Sequence, residues 1–312
     1  MSSSSPQRIR PPALRPGDTV GIVAPASSVK QGDLEAGCEA LRRAGYKPFY
    51  FDSILENDLY FAGSVKRRVN ELQEMFARDD VRAVICARGG YGANYLLAEK
   101  LSLPRTKIFV GYSDVTCLLT QFSATGGFVT FHGPMAAKDW AHNDGVDLAS
   151  WRAALSGIEP WDVPTGAGVS GLVDGEAEGV LYGGCLSILV ASLGTPYEIA
   201  TNGTILFLED LATKPYQIDR MLMQLKLAGK FAHVRAIVFG EMLDCVQAPG
   251  QGYTLQEVIT RIVGGLGVPV AFGVRSGHVT AENITLPFGV YARLTVRGGQ
   301  VSLKILEAAV TP

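Results

Sequence analysis

Three short stretches carry side chains of the kind that perform acyl transfer: Ser113 in "FVGYSDVTCL", Glu209 in "TILFLED" and His278 in "RSGHVTAEN". A serine hydroxyl becomes a strong nucleophile only when a neighbouring base takes its proton and a third group orients that base. Ser113 stands between an apolar run and a helix-like pattern, where two readings compete. It is a helix N-cap, a place where Ser is preferred, or it is the nucleophile of a sharp strand-to-helix elbow. In the second reading the N–H of Asp114 is free at a helix start and suits a developing oxyanion. The full G-x-S-x-G pattern is missing, because Val115 stands where the second glycine would be.

Four histidines are available as the base. His142 lies in a polar stretch and His233 follows a helical one, so both read as surface residues. His132 in "TFHGP" and His278 each adjoin a glycine at an expected strand end. Glu209 and Asp210 close a run of apolar residues, where they either solvate a strand terminus or orient a base. The same pattern occurs in the magnesium-binding strand of P-loop ATPases, but the G-x-x-x-x-G-K-[ST] that such a strand requires is absent. "ARGGYGAN" is the remaining signal. Its glycines permit close backbone approach to a ligand or a neighbouring loop, and Gly89 or Gly90 could supply a second N–H near Ser113. The stretch does not match G-x-G-x-x-G, so it is no dinucleotide fingerprint.

These residues need a frame, and the first half of the chain supplies an alternating one. "TVGIVAPAS", "KPFYFDS", "VRAVICARGG", "KIFVGYS" and "GFVTFHGP" read as strands. "DLEAGCEALRRAGY", "SVKRRVNELQEMFARDD", "ANYLLAEKL" and "DVTCLLTQFSATGG" read as helices with core residues at helical spacing. This rhythm implies a doubly wound parallel α/β sheet whose sites gather beyond the carboxyl ends of its strands. The polar, Gly/Pro-rich stretch after residue 136 sets a domain boundary near 165. Residues 1–165 are expected to form the nucleophile-bearing α/β domain, and residues 166–312 a smaller mixed α/β domain supplying Glu209 and His278.

Composition narrows the function classes. The chain has 312 residues, 47% hydrophobic and 19% charged, with a net charge of −2 and both signs scattered. That pattern points away from nucleic acid and from anionic membrane surfaces. Its five cysteines (Cys38, Cys86, Cys117, Cys185 and Cys245) show no metal-ligand spacing and read as reduced thiols of a cytoplasmic protein. The serine-rich start reads as loose and has no secretory h-region, and no apolar run is long enough to span a bilayer.

Taken together, "GDTVGIVAPAS", "FAGSVKRRVNELQEMFARDDVRAVICARGGYGANYLL", "VGYSDVTCLL", "FHGPM", "LYGGCLSILVASLGTPYE", "ILFLEDLATKPYQIDRMLMQL" and "GHVTAENITLPFGVYARL" resemble the LD-carboxypeptidase family of serine peptidases. That family includes muramoyltetrapeptide carboxypeptidases and microcin-C immunity peptidases. The resemblance implies Ser113 as nucleophile, Glu209 as the acidic member and His278 as base, at a cleft between two domains. Oxyanion donors would be the N–H of Asp114 with that of Gly89 or Gly90. The implied reaction removes terminal D-alanine from a murein tetrapeptide, with no cofactor and no metal. The expected assembly is a homodimer that contacts neither nucleic acid nor membrane. Two rivals stay open: cleavage of microcin-C-like peptide-nucleotides, and a non-catalytic ligand-binding α/β protein. One departure is Cys185 in "YGGCLS", where Asn is expected in many relatives, so no side-chain hydrogen-bond role is carried over there.

Overall fold

The computed structural model describes residues 8–312; the serine-rich start lies outside them. In chain order the elements are β1 (Thr19–Val23), α1 (Gln31–Arg43), β2 (Lys47–Phe49), α2 (Val65–Ala77), β3 (Val81–Cys86), α3 (Asn94–Leu97), β4 (Ile108–Gly111), α4 (Thr116–Ala124), β5 (Thr130–His132) and α5 (Leu148–Ser156). They continue as β6 (Trp161–Asp162), β7 (Ser170–Val173), β8 (Gly175–Cys185), α6 (Leu186–Ala191), β9 (Thr204–Glu209), α7 (Pro215–Leu227), β10 (Ala236–Gly240), α8 (Leu255–Val263), β11 (Val270–Val274), β12 (Leu286–Phe288), β13 (Tyr291–Arg297) and β14 (Gln300–Ile305).

The first sheet has the order β12-β5-β4-β3-β1-β2. Its strands β1 to β5 are parallel, as the alternation of strands and helices requires. Core spacing in the helices holds: α1 buries Leu34, Cys38 and Leu41, and α2 buries Val69, Leu72 and Phe76. Ser64 caps α2 by accepting a hydrogen bond from the Arg67 N–H at 3.2 Å. β3 is buried almost throughout, in keeping with its unbroken apolar run. The helix expected over "ANYLLAEKL" is only one turn, Asn94–Leu97. Its continuation is exposed and soon meets Pro104, which disfavours helix in the residue before it.

The second sheet has eight strands in the order β6-β14-β13-β8-β9-β10-β11-β7. Strands β8 to β11 are parallel, and antiparallel partners flank them on both sides. This half is smaller in residues, yet its sheet is the larger one.

A single cut at residue 165 does not separate the sheets. β6 already belongs to the second, and β12 returns to the first, pairing antiparallel with β5 so that Leu286 lies opposite His132. The return satisfies a sheet edge that would otherwise leave its N–H and C=O groups open. Aromatic contacts join the two layers, with His132 against Phe207 (centroids 5.1 Å apart) and Phe207 against Phe288 (6.2 Å). The Tyr182 hydroxyl adds a hydrogen bond to the Thr120 carbonyl at 2.7 Å.

Candidate active site

Ser113, Glu209 and His278 all lie at or just beyond carboxyl ends of parallel strands: β4, β9 and β11. Ser113 opens a single 3₁₀ turn, Ser113–Val115, ahead of α4. Its φ is +62°, a left-handed conformation that costs about 1–3 kcal/mol for a non-glycine residue and persists only where the surroundings enforce it. It is not an N-cap, since no side-chain cap bond forms at this turn or at the start of α4. Two neighbours enforce the turn. The buried Asp114 carboxylate accepts the Ala93 N–H at 2.7 Å, tying the turn to the glycine loop after β3. In that loop Gly89 packs directly on Ser113: a Cβ there would fall 2.8 Å from Ser113 Cβ and 3.0 Å from its Oγ. Gly90 adjoins Ser27 instead.

Glu209 and His278 are brought together. His278 Nδ1 lies 2.7 Å from Glu209 Oε2, and the His278 backbone N–H donates to the same oxygen at 3.1 Å. Opposite a carboxylate, Nδ1 carries the proton and Nε2 presents its lone pair. Burial pushes the His278 pKa down, but the charge of Glu209 and its hydrogen bond outweigh burial and leave the imidazole above its ordinary value. Burial likewise acts to raise the Glu209 pKa, and the charge of His278 together with contacts to both imidazoles holds it well below the usual carboxylate range. Gly277 makes the contact possible. Its φ is +96°, and a Cβ would lie 2.7 Å from Glu209 Cδ. Asn283 brackets this glycine, accepting its N–H at 3.0 Å and donating to its carbonyl at 3.1 Å. The Glu241 carboxylate accepts the N–H and hydroxyl of Thr280 on the far side of His278.

Ser113 reaches this pair through its neighbour. The Tyr112 ring meets the His278 ring edge-on, with centroids 5.1 Å apart, and its hydroxyl donates to Asp139 Oδ1 at 3.1 Å. No hydrogen bond joins Ser113 Oγ to His278 among the described residues. His132, flagged by its strand-end position, is completely buried, with Nε2 3.7 Å from Glu209 Oε1. That separation is electrostatic contact rather than a hydrogen bond. His132 Nδ1 pairs with Ser276 Oγ at 2.9 Å, and burial holds its pKa below the ordinary value.

A cavity of about 400 Å³ opens beside His278 and Tyr112. Its other wall comes from Lys138, Asp139, His142 and Asn143, a stretch whose composition suggested a linker. That expectation is corrected: the Met135 N–H and the Tyr112 hydroxyl both donate to the Asp139 carboxylate and fold the segment onto the site. His142 is exposed, as expected, but it lines the cavity. Among the described residues no group of three or more His, Cys, Asp or Glu side chains is placed to hold a metal ion. All five cysteines are free and buried.

Residues 20–133 match the LD-carboxypeptidase N-terminal domain and residues 178–294 the C-terminal domain of the same family. The chain belongs to the LD-carboxypeptidase family. It is 38% identical over 291 residues to a probable murein peptide carboxypeptidase of Bacillus subtilis, covering 91% of each chain. Among solved structures it resembles the muramoyltetrapeptide carboxypeptidase of Oxalobacter formigenes, with a TM-score of 0.83, 29% identity and coverage of 94% of this chain and 100% of that one. It also resembles MccF in complex with glutamyl sulfamoyl guanosine, with a TM-score of 0.88, 26% identity and coverage of 97% and 99%. The family assignment makes the chain a peptidase, with a two-domain α/β fold.

Proposed function

We propose that this peptidase is a serine carboxypeptidase that cuts the bond between an L-centre and a terminal D-alanine in murein tetrapeptides. The observation that carries the reading is the Glu209–His278 pair, 2.7 Å apart and packed edge-on against the residue preceding a strained Ser113. In this mechanism His278 Nε2 takes the Ser113 proton as Oγ attacks the scissile carbonyl, then delivers it to the departing amine. Glu209 fixes the tautomer and stabilises the imidazolium. The N–H groups of Asp114 and Gly89 hold the oxyanion, each donor worth about 3 kcal/mol. Gly89 is favoured over Gly90 because it is the glycine that packs on Ser113. The five unpaired thiols accord with a reducing, cytoplasmic setting, and a homodimer is the proposed assembly.

The murein branch is favoured by the aromatic inventory of the cavity. Tyr216, in the first turn of α7, is exposed and lines a separate cavity with Tyr253 and Arg261, with Arg220 stacked over its ring. The cavity beside His278 has Tyr112 as its lone phenyl-type ring, and that ring is buried. Apart from the imidazoles of His142 and His278, no ring is offered there for a nucleobase to stack on, and each stacking contact forgone is worth roughly 1–3 kcal/mol. The resemblance to MccF keeps peptide-nucleotide cleavage as the second reading. Offering an L,D-tetrapeptide and an aminoacyl-sulfamoyl nucleoside at equal concentration separates the two: kcat/KM is expected to favour the tetrapeptide, and the reverse order overturns the murein branch. Ser113→Ala should lose turnover of either by about 10⁴-fold or more while the protein stays folded. Retained turnover would sink the serine mechanism.

A further inference from the structure

A carboxypeptidase must recognise the end of a chain, and the terminal carboxylate is what distinguishes that end from an internal bond. The cavity beside His278 contains one side chain of fixed positive charge, Lys138. Its ammonium is exposed and has no carboxylate within ion-pair distance among the described residues. Asp139, next in the chain, forms no ion pair with it; its carboxylate instead accepts the Tyr112 hydroxyl and the Met135 N–H. Two arginines of neighbouring loops stand outside this cavity. Arg88 donates to the Ser28 carbonyl at 3.3 Å, Arg275 lies beside Gly166, and neither lines this cavity.

We infer that Lys138 binds the free carboxylate of the departing residue and so selects substrates by their chain end. The inference rests on the peptidase reading and adds a specificity residue to it. An ammonium left unpaired in a recess is poised for a charge-assisted hydrogen bond, about twice as strong as a neutral one. Its charge also opposes, as the weakest of several influences, the rise in the His278 pKa that Glu209 causes. A carboxylate seated on Lys138 cancels that opposition, so binding the correct chain end eases the imidazole's uptake of the Ser113 proton. A substrate with a blocked terminus would lose both effects.

The test compares a tetrapeptide ending in D-alanine with the same peptide carrying a C-terminal amide, in wild type, Lys138→Met and Lys138→Arg. Wild type should prefer the free acid. In Lys138→Met the acid-to-amide ratio of kcat/KM should fall ~10–100-fold, the range expected of a charge-assisted contact, and Lys138→Arg should recover part of it. A ratio unchanged in Lys138→Met, with both rates falling together or neither falling, overturns the role. Calorimetry in the Ser113→Ala background gives the same comparison without turnover: the acid should outbind the amide only while Lys138 is present. Labelling of Ser113 by a fluorophosphonate separates the two levels of failure. An enzyme that labels and cleaves acid and amide alike refutes only Lys138, whereas one that neither labels nor cleaves refutes the peptidase reading and this role with it.

Discussion

One carboxylate, Glu209, faces two imidazoles, and the surroundings of its two oxygens differ. Oε2 takes two hydrogen bonds from His278, the ring at 2.7 Å and the backbone N–H at 3.1 Å. Oε1 faces His132 at 3.7 Å and has no hydrogen-bond partner among the described residues. His278 keeps some exposure and its pKa is raised; His132 is sealed off and its pKa is lowered. Proximity to a carboxylate therefore does not make an imidazole basic. What decides is whether the carboxylate's charge and its hydrogen bond together outweigh the loss of hydration, which is complete at His132 and only partial at His278. His278 has the bond and an open ring nitrogen, while His132 has burial and a hydroxyl partner, Ser276. The first arrangement suits a base that must gain and lose a proton; the second suits a neutral spacer that keeps water away from the carboxylate.

The sharpest way to break this comparison is to remove each ring in turn. His278→Ala should cost about 10⁴-fold or more in kcat, as loss of a base in a serine enzyme does. His132→Phe should cost less than about tenfold, and equal losses in the two variants would erase the distinction.

A smaller effect sharpens it. With wild type, kcat/KM should rise with pH along a limb lying above the ordinary imidazole value of about 6.5, because the raised pKa of His278 keeps it protonated, and inactive as a base, to higher pH. Glu209→Gln should lower kcat by roughly 10³–10⁴-fold. It should also move the limb down, since burial is then left without the opposing charge. A limb that stays in place would show that Glu209 does not set the basicity of His278.

The smallest effect concerns stability. His132 has a folded pKa below its unfolded one, so below about pH 6.5 the unfolded chain takes up a proton that the folded chain does not. Its contribution to stability is thus lost as pH falls through that range. His132→Phe should flatten the slope of denaturation midpoint against pH between 6.5 and 5, whatever it does to the midpoint itself. An unchanged slope would place the acid sensitivity elsewhere.

Much of this was legible in the chain. Periodicity marked the parallel strands of the first sheet, because a doubly wound sheet writes buried runs and amphipathic helices alternately into sequence. Strand-end position picked out Ser113, Glu209, His132 and His278. The pairing of Glu209 with His278 was not legible from pattern, and only the family resemblance suggested it, since 69 residues separate the two. Two things escaped entirely. Lys138, Asp139 and His142 sat in a stretch whose polar composition looked like a linker, although loops are where sites are commonly built. The return of β12 was hidden too, because three residues, "LPF", carry no period that could assign them to one sheet or the other.

That return has a consequence for how the protein is made. On a ribosome the first half emerges early, and its five parallel strands can form while β5 still presents a bare edge. The edge is covered only when residues 286–288 arrive, and the loop that carries His278 is pinned at its far end by that same pairing. Until then a nascent chain holds its serine in a half-built site and exposes an open strand to its neighbours. Chaperones that shield strand edges should therefore raise the yield of folded protein. The enzyme would also remain silent until its final strands are in place.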